Sequence, residues 1–106
     1  MNQQQYRLLC MDIDGTLLDS AHELPSANRE AVRSAAKNGV TICLMSARPP
    51  RAVFPIRDAL GVDGPLVCCG GGLILSGKKR MADSRLTRAC AQAVLQETQA
   101  RGIHLS

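Results

Sequence analysis

The sequence predicts an α/β fold built around a parallel sheet, and three observations carry that prediction. Short apolar runs alternate with helix-length segments in strand–helix–strand–helix–strand order. That order calls for parallel strands joined by right-handed crossovers. Each helical segment also closes on a glycine, at Gly39, Gly61 and Gly102, the residue that best tolerates the left-handed conformation ending a helix.

The elements follow in turn. Leu8-Leu9-Cys10-Met11 is apolar throughout and reads as a buried strand. Ser26 is placed to cap a helix over 27–37, with Ala31, Val32, Ala35 and Ala36 on one face and Asn38-Gly39 as its stop. Residues 40–45 form a second buried strand, β-branched at Val40, Thr41 and Ile42. A helix over 50–60 follows, and Pro55 inside it removes a backbone donor, so a kink or a delayed start is expected. Residues 65–69 are a third strand, closed by Gly70-Gly71-Gly72. Beyond the glycines, 73–75 and 80–82 flank Gly77 as a hairpin. A helix over 86–101 has a stripe of Leu86, Cys90, Ala93, Val94 and Leu95, and Ile103-His104-Leu105 opens another strand. The domain seam falls between Leu75 and Leu86.

Composition narrows the function classes. The chain has 106 residues, 45% hydrophobic and 21% charged, enough for the core of one small domain and unlike a disordered chain. No apolar run reaches the roughly 20 residues of a membrane span, and the polar start, Met1 to Gln5, is unlike a secretory signal. The net charge of +4 raises nucleic-acid binding, but the basic residues are scattered, with Lys78-Lys79-Arg80 the one run. Tyr6 and Phe54 are the two aromatics, too few for a base-stacking platform. We expect no nucleic-acid or membrane partner. Five cysteines without a C-x-x-C spacing suggest neither zinc nor a disulfide framework, and a reducing cytoplasm is the simplest setting.

The chemistry concentrates in Asp12-Ile13-Asp14-Gly15-Thr16-Leu17-Leu18-Asp19. Two carboxylates two residues apart lie where the first strand ends, the end at which open α/β sheets gather ligands. One can attack an electrophile while the other exchanges a proton with the leaving group. Gly15 and Thr16 supply a tight turn whose N–H groups can face an anion. Read by itself, the pair is better taken as a polar strand exit with Asp as a turn former.

The stretch resembles motif I of the haloacid dehalogenase superfamily, D-x-D-G-T after a hydrophobic strand. The resemblance continues through Ser46-Ala47-Arg48, similar to the T-G-R of the Cof-like branch, and through Cys68-Cys69-Gly70-Gly71-Gly72-Leu73-Ile74. It covers Leu8 to Ile74 closely, and the rest looks like the start of an α/β (C2-type) cap. It implies an incomplete Rossmann-like core over 1–75 followed by a truncated cap over 76–106, with the first strand central in the complete sheet.

The resemblance also implies roles. Asp12 is the nucleophile that becomes an aspartyl-phosphate, and Asp14 is general acid, then base. Asp14 separates phosphatases and phosphomutases from the dehalogenase branch, which lacks it. Ser46 holds the phosphoryl group, with Gly15, Thr16 and Arg48 beside it. Mg²⁺ is taken by the Asp12 carboxylate and the Asp14 carbonyl. Gly70 stands where the branch usually has Asn. The family's motif III Lys and motif IV acidic pair find no place here, and Lys78, Lys79 and Arg80 fall in the hairpin instead. Arg51 and Arg57 read as a solvated helix face; Asp19 and His22 follow the motif loop and can approach the site, though a plain loop role is the favoured reading. The expected function is a Mg²⁺-dependent phosphatase acting on a small phosphorylated metabolite. The alternatives are a non-catalytic fragment or a half that needs a partner chain, and a sugar phosphomutase.

Overall fold

The structure, a computed structural model, describes residues 6–77 and 79–104. The polar start, Lys78 and Leu105 therefore lie outside the described residues. Strands β1 (Leu8–Asp12), β2 (Thr41–Met45) and β3 (Leu66–Cys68) run parallel, linked by helices α1 (Ser26–Lys37) and α2 (Pro50–Leu60). A 3-10 turn over Cys69–Gly71 reverses the chain into the hairpin β4 (Leu73–Ser76) and β5 (Lys79–Asp83). Helix α3 (Arg88–Ala100) follows. The sheet order is β1-β2-β3-β4-β5, with β4 antiparallel to both neighbours, so the hairpin extends the parallel sheet.

Register fixes which residues share a face. Leu9 pairs with Ile42, Met11 with Leu44, and Leu44 with Leu66. Ile42, Leu44 and Leu66 are buried in one cluster with Val32 of α1 and Val53 and Leu60 of α2, so both helices cover this face. Leu8, Cys10, Thr41, Cys43, Met45 and Val67 fall on the other. That face and the β1 edge correct the expectation of a buried first strand: Leu8, Leu9 and Cys10 are exposed. Among the described residues β1 pairs with β2 alone, and no helix packs on its open face.

The helix ends obey local chemistry. In α1 the Val40 N–H reaches back to Ala35 O and the Gly39 N–H to Ala36 O, a closure that satisfies carbonyls the helix leaves unpaired. Gly61 and Gly102 close α2 and α3 in the same way, with Ile103 donating to Thr98 O at 2.8 Å. Ile103 and His104 therefore serve the helix end and form no strand, since no strand lies beside them to pair with. Two starts differ from expectation. Pro25 occupies the cap position of α1 and Ser26 is the first helical residue, with no side-chain cap bond. Helix α3 begins at Arg88, where the Thr87 hydroxyl accepts the Cys90 N–H. Helix α2 runs through Pro55 unbroken; Pro55 and Arg51, whose carbonyl loses its donor, are both exposed, so water can take the missing bond.

Candidate active site

The two aspartates are separated by what lies between them. Ile13 is fully buried, and its carbonyl collects the N–H groups of Thr16, Leu17 and Leu18 at 3.3, 3.0 and 2.9 Å. Leu17 and Leu18 are buried as well, so three apolar side chains clamp the loop to the core while Asp12 and Asp14 stay exposed. Gly15 makes the turn at φ +78°, a conformation costly for residues with a Cβ. From α1, the Asn28 amide donates to Leu17 O at 3.0 Å and pins the loop from outside.

Asp12 ends β1 in register with Met45, the last residue of β2. Next comes Ser46, the sole buried polar side chain among the described residues. Its Oγ accepts the Arg48 N–H at 3.0 Å, which leaves the hydroxyl proton available to donate elsewhere. Its own N–H donates to Val67 O, and its carbonyl accepts the Gly70 N–H. The loop after β2 is thereby zipped to the glycine turn after β3. Asp12, Met45, Ser46, Ala47, Val67, Gly70 and Gly71 line one open cleft of about 270 Å³ at the carboxyl ends of the parallel strands. A larger hollow of about 940 Å³ lies at the opposite end, around Lys37, Thr41 and Gly64, away from both aspartates.

Asp14 is placed differently. Both its carboxylate oxygens are taken by Arg48, Oδ2 by Nε at 2.9 Å and Oδ1 by Nη2 at 2.6 Å. His22 Nδ1 stands 3.4 Å from Oδ1. The Arg48 hydrogen bonds, more than any other influence, hold the Asp14 carboxyl below the usual carboxylate range. The same bonds raise the Arg48 guanidinium above its ordinary value.

The structure thus brings Asp12 and Ser46 to one cleft, with Asp14 and Arg48 joined to each other and tied to Ser46 through the Arg48 backbone. The Thr16 N–H is engaged by Ile13 O. Arg57 lies over the Phe54 ring at 4.8 Å. Of the two loop residues that could approach the site, His22 does so, at Asp14. Met45 and Val67, as cleft walls, escape sequence reasoning altogether, because apolar strand residues show there only as core.

Mg²⁺ commonly takes one or two carboxylates and completes its shell with water and substrate phosphate. Asp12, exposed at the end of β1, offers one carboxylate of that kind. No group of three or more His, Cys, Asp or Glu side chains placed to hold a metal occurs among the described residues. Nor is any helix among them long and apolar enough to cross a membrane.

A family model described as haloacid dehalogenase-like hydrolase matches residues 9–106. A phosphoglycolate phosphatase of Thermoplasma acidophilum is 35% identical over 68 residues, which is 64% of this chain and 30% of that protein. The pyridoxal phosphate phosphatase YbhA of Escherichia coli is 34% identical over 65 residues, 61% of this chain and 24% of its own length. Among solved structures, a haloacid dehalogenase-like hydrolase from Bacteroides thetaiotaomicron superposes with a TM-score of 0.83 at 27% identity, over 91% of this chain and 38% of that one. The chain spans 24% and 30% of the length of the two curated relatives.

Proposed function

The chain belongs to the haloacid dehalogenase-like hydrolase family, and on that premise we propose that it carries the nucleophile side of a phosphomonoesterase. The observation that supports this most directly is the shared cleft of Asp12 and Ser46 at the ends of adjacent parallel strands. The substrate is a small phosphorylated metabolite; its curated relatives are named for phosphoglycolate and pyridoxal phosphate.

In this reading an Asp12 oxygen attacks phosphorus in line as the ester oxygen departs; Asp14, ionised while paired with Arg48, takes up a proton from solvent before this step and gives it to the departing oxygen. The products are an alcohol and an aspartyl-phosphate on Asp12. Asp14 then removes a proton from water as the water attacks phosphorus, which releases phosphate and restores Asp12. Ser46 donates its free hydroxyl proton to a phosphoryl oxygen. The Asp12 carboxylate and the Asp14 carbonyl would hold Mg²⁺, which would supply positive charge against the transferring group.

The test is turnover of p-nitrophenyl phosphate with Mg²⁺ present. Asp12→Asn keeps the side-chain volume and removes the attacking oxygen's charge, so essentially all turnover is expected to disappear. Substantial residual activity sinks the mechanism. A second reading rests on the small donor set of the described residues: the metal site is completed by residues outside this chain, from a longer chain or a partner. Mg²⁺-dependent turnover by the 106-residue chain itself would refute it.

A further inference from the structure

Two loops meet at the Asp14 carboxylate, its own connection from β1 to α1 and the loop after β2. Arg48 approaches from the loop after β2 and is anchored on both sides of its Cα: its N–H donates to Ser46 Oγ at 3.0 Å and its carbonyl accepts the Cys69 N–H at 3.0 Å. From that fixed root the guanidinium meets both Asp14 oxygens. His22 approaches from the other side, out of a turn organised by Asp19. The Asp19 Oδ1 accepts the N–H groups of Ala21 and Glu23 at 2.9 and 3.0 Å, and its carbonyl accepts that of His22. The turn holds His22 at φ +59°, left-handed backbone that a side-chain-bearing residue seldom adopts and that tends to persist where surroundings impose it.

We propose that Arg48, backed by His22, is a positioning residue that fixes the ionised Asp14 carboxylate for its work as base toward the attacking water, and is not itself a ligand of the phosphoryl group. The inference rests on the phosphatase reading above. Its geometric ground is that a planar guanidinium matches a carboxylate with two parallel bonds, which a lysine ammonium cannot reproduce. The pair is also partly exposed, Arg48 at 31% and Asp14 at 42% of the side chain. Exposed ion pairs contribute little to folding, so its consequences belong to the orientation of Asp14 and not to stability.

The discriminating experiment combines kinetics with a spectroscopic readout on the same chain. With p-nitrophenyl phosphate and Mg²⁺, Arg48→Ala and Arg48→Lys are both expected to lower kcat by roughly 10–100-fold with KM changed less than about 3-fold, and His22→Asn, which tolerates the left-handed backbone, by roughly 3–10-fold. A KM raised 10-fold or more at unchanged kcat, with Lys restoring the wild-type value, overturns the proposal, because that is the signature of direct phosphate binding. Independently of turnover, the Arg48 Nε–H resonance is expected to be shifted and slow to exchange with water in the wild type, and to collapse to the free-arginine position in Asp14→Asn. A resonance unchanged by Asp14→Asn also overturns the proposal. If the wild type shows no turnover, the reading in which this chain acts as a phosphatase by itself fails, and the resonance comparison still decides whether Arg48 holds Asp14.

Discussion

Ile13 shows how one residue can arm a site without touching its chemistry. Its burial forces the residues on either side outward, and its carbonyl gathers the turn that presents Asp14. Gly70 works through backbone freedom: at φ +64° with open space where a Cβ would stand, it occupies a conformation that Gly and Asn both enter readily. The exchange with the Asn usual in the Cof-like branch therefore changes the cleft's polarity and leaves its backbone path intact. Cys43 makes the residue-scale prediction. Burial pushes its thiol up to about 11, and the neighbouring Cys10 pushes in the same direction. The folded value lies above the unfolded value near 9.0, so the protonated thiol's contribution is complete below pH 9 and lost as pH rises through 11. Each tenfold difference in proton affinity between the folded and unfolded chain is worth about 1.4 kcal/mol. Urea unfolding at pH 8 and 10.5 should therefore show the wild type losing about 1–2 kcal/mol more than Cys43→Ala. Equal losses would refute the burial argument.

Asp12, Asp14 and Ser46 are legible in the sequence because each follows closely on an apolar run, and a strand's end is a place that local pattern can locate. His22 is legible only in part: its place just after the motif allows an approach to the site, but which group it meets depends on the turn that Asp19 organises. The elements repeat the lesson. Helix stops are readable from Gly39, Gly61 and Gly102, since the closure uses neighbours within six residues. The exposure of β1 is not, because an apolar run does not say which strands flank it. Gly64 is the clearest element-scale case. It looks like a loop glycine, yet a Cβ there would stand 1.8 Å from Ile42 O, inside the backbone of β2. The contact lets the chain leaving α2 pass close against β2 before β3 begins. Gly64→Ala must push β2 and that segment apart, and overpacking of this kind costs about 1–3 kcal/mol. Thermal melting should show the loss, while Gly77→Ala, with open space around its Cβ but the same left-handed strain as other turn glycines, should cost about 1 kcal/mol. Equal stability of Gly64→Ala and wild type would mean that the close approach does not exist.

At the scale of the molecule, the chain is extended, with principal extents of 61 × 31 × 21 Å and a radius of gyration of 16.9 Å. A compact chain of 100 residues has about 13 Å. The excess lies with the segment after β5. From Ser84 to His104 every residue is exposed except Thr98, and the apolar side chains of Leu86, Val94, Leu95 and Ile103 find no cover among the described residues. The core is the reverse, a single cluster joining the motif loop, α1, α2 and the sheet. Stability must then be uneven, because a helix of 13 residues is marginal in water when packing does not support it. The site sits on the stable part: Asp12 ends β1, Ser46 directly follows β2, and Asp14 is tied to Ser46 through Arg48. Hydrogen exchange should separate the two parts, with α3 amides exchanging at least roughly 100-fold faster than those of β2. Addition of Mg²⁺ and phosphate should slow exchange around the Asp12 loop and leave α3 unchanged. Protection in α3 equal to that in β2 would show that its apolar stripe is covered in solution. In that case the cleft and the following helix would have to be treated as one cooperative unit.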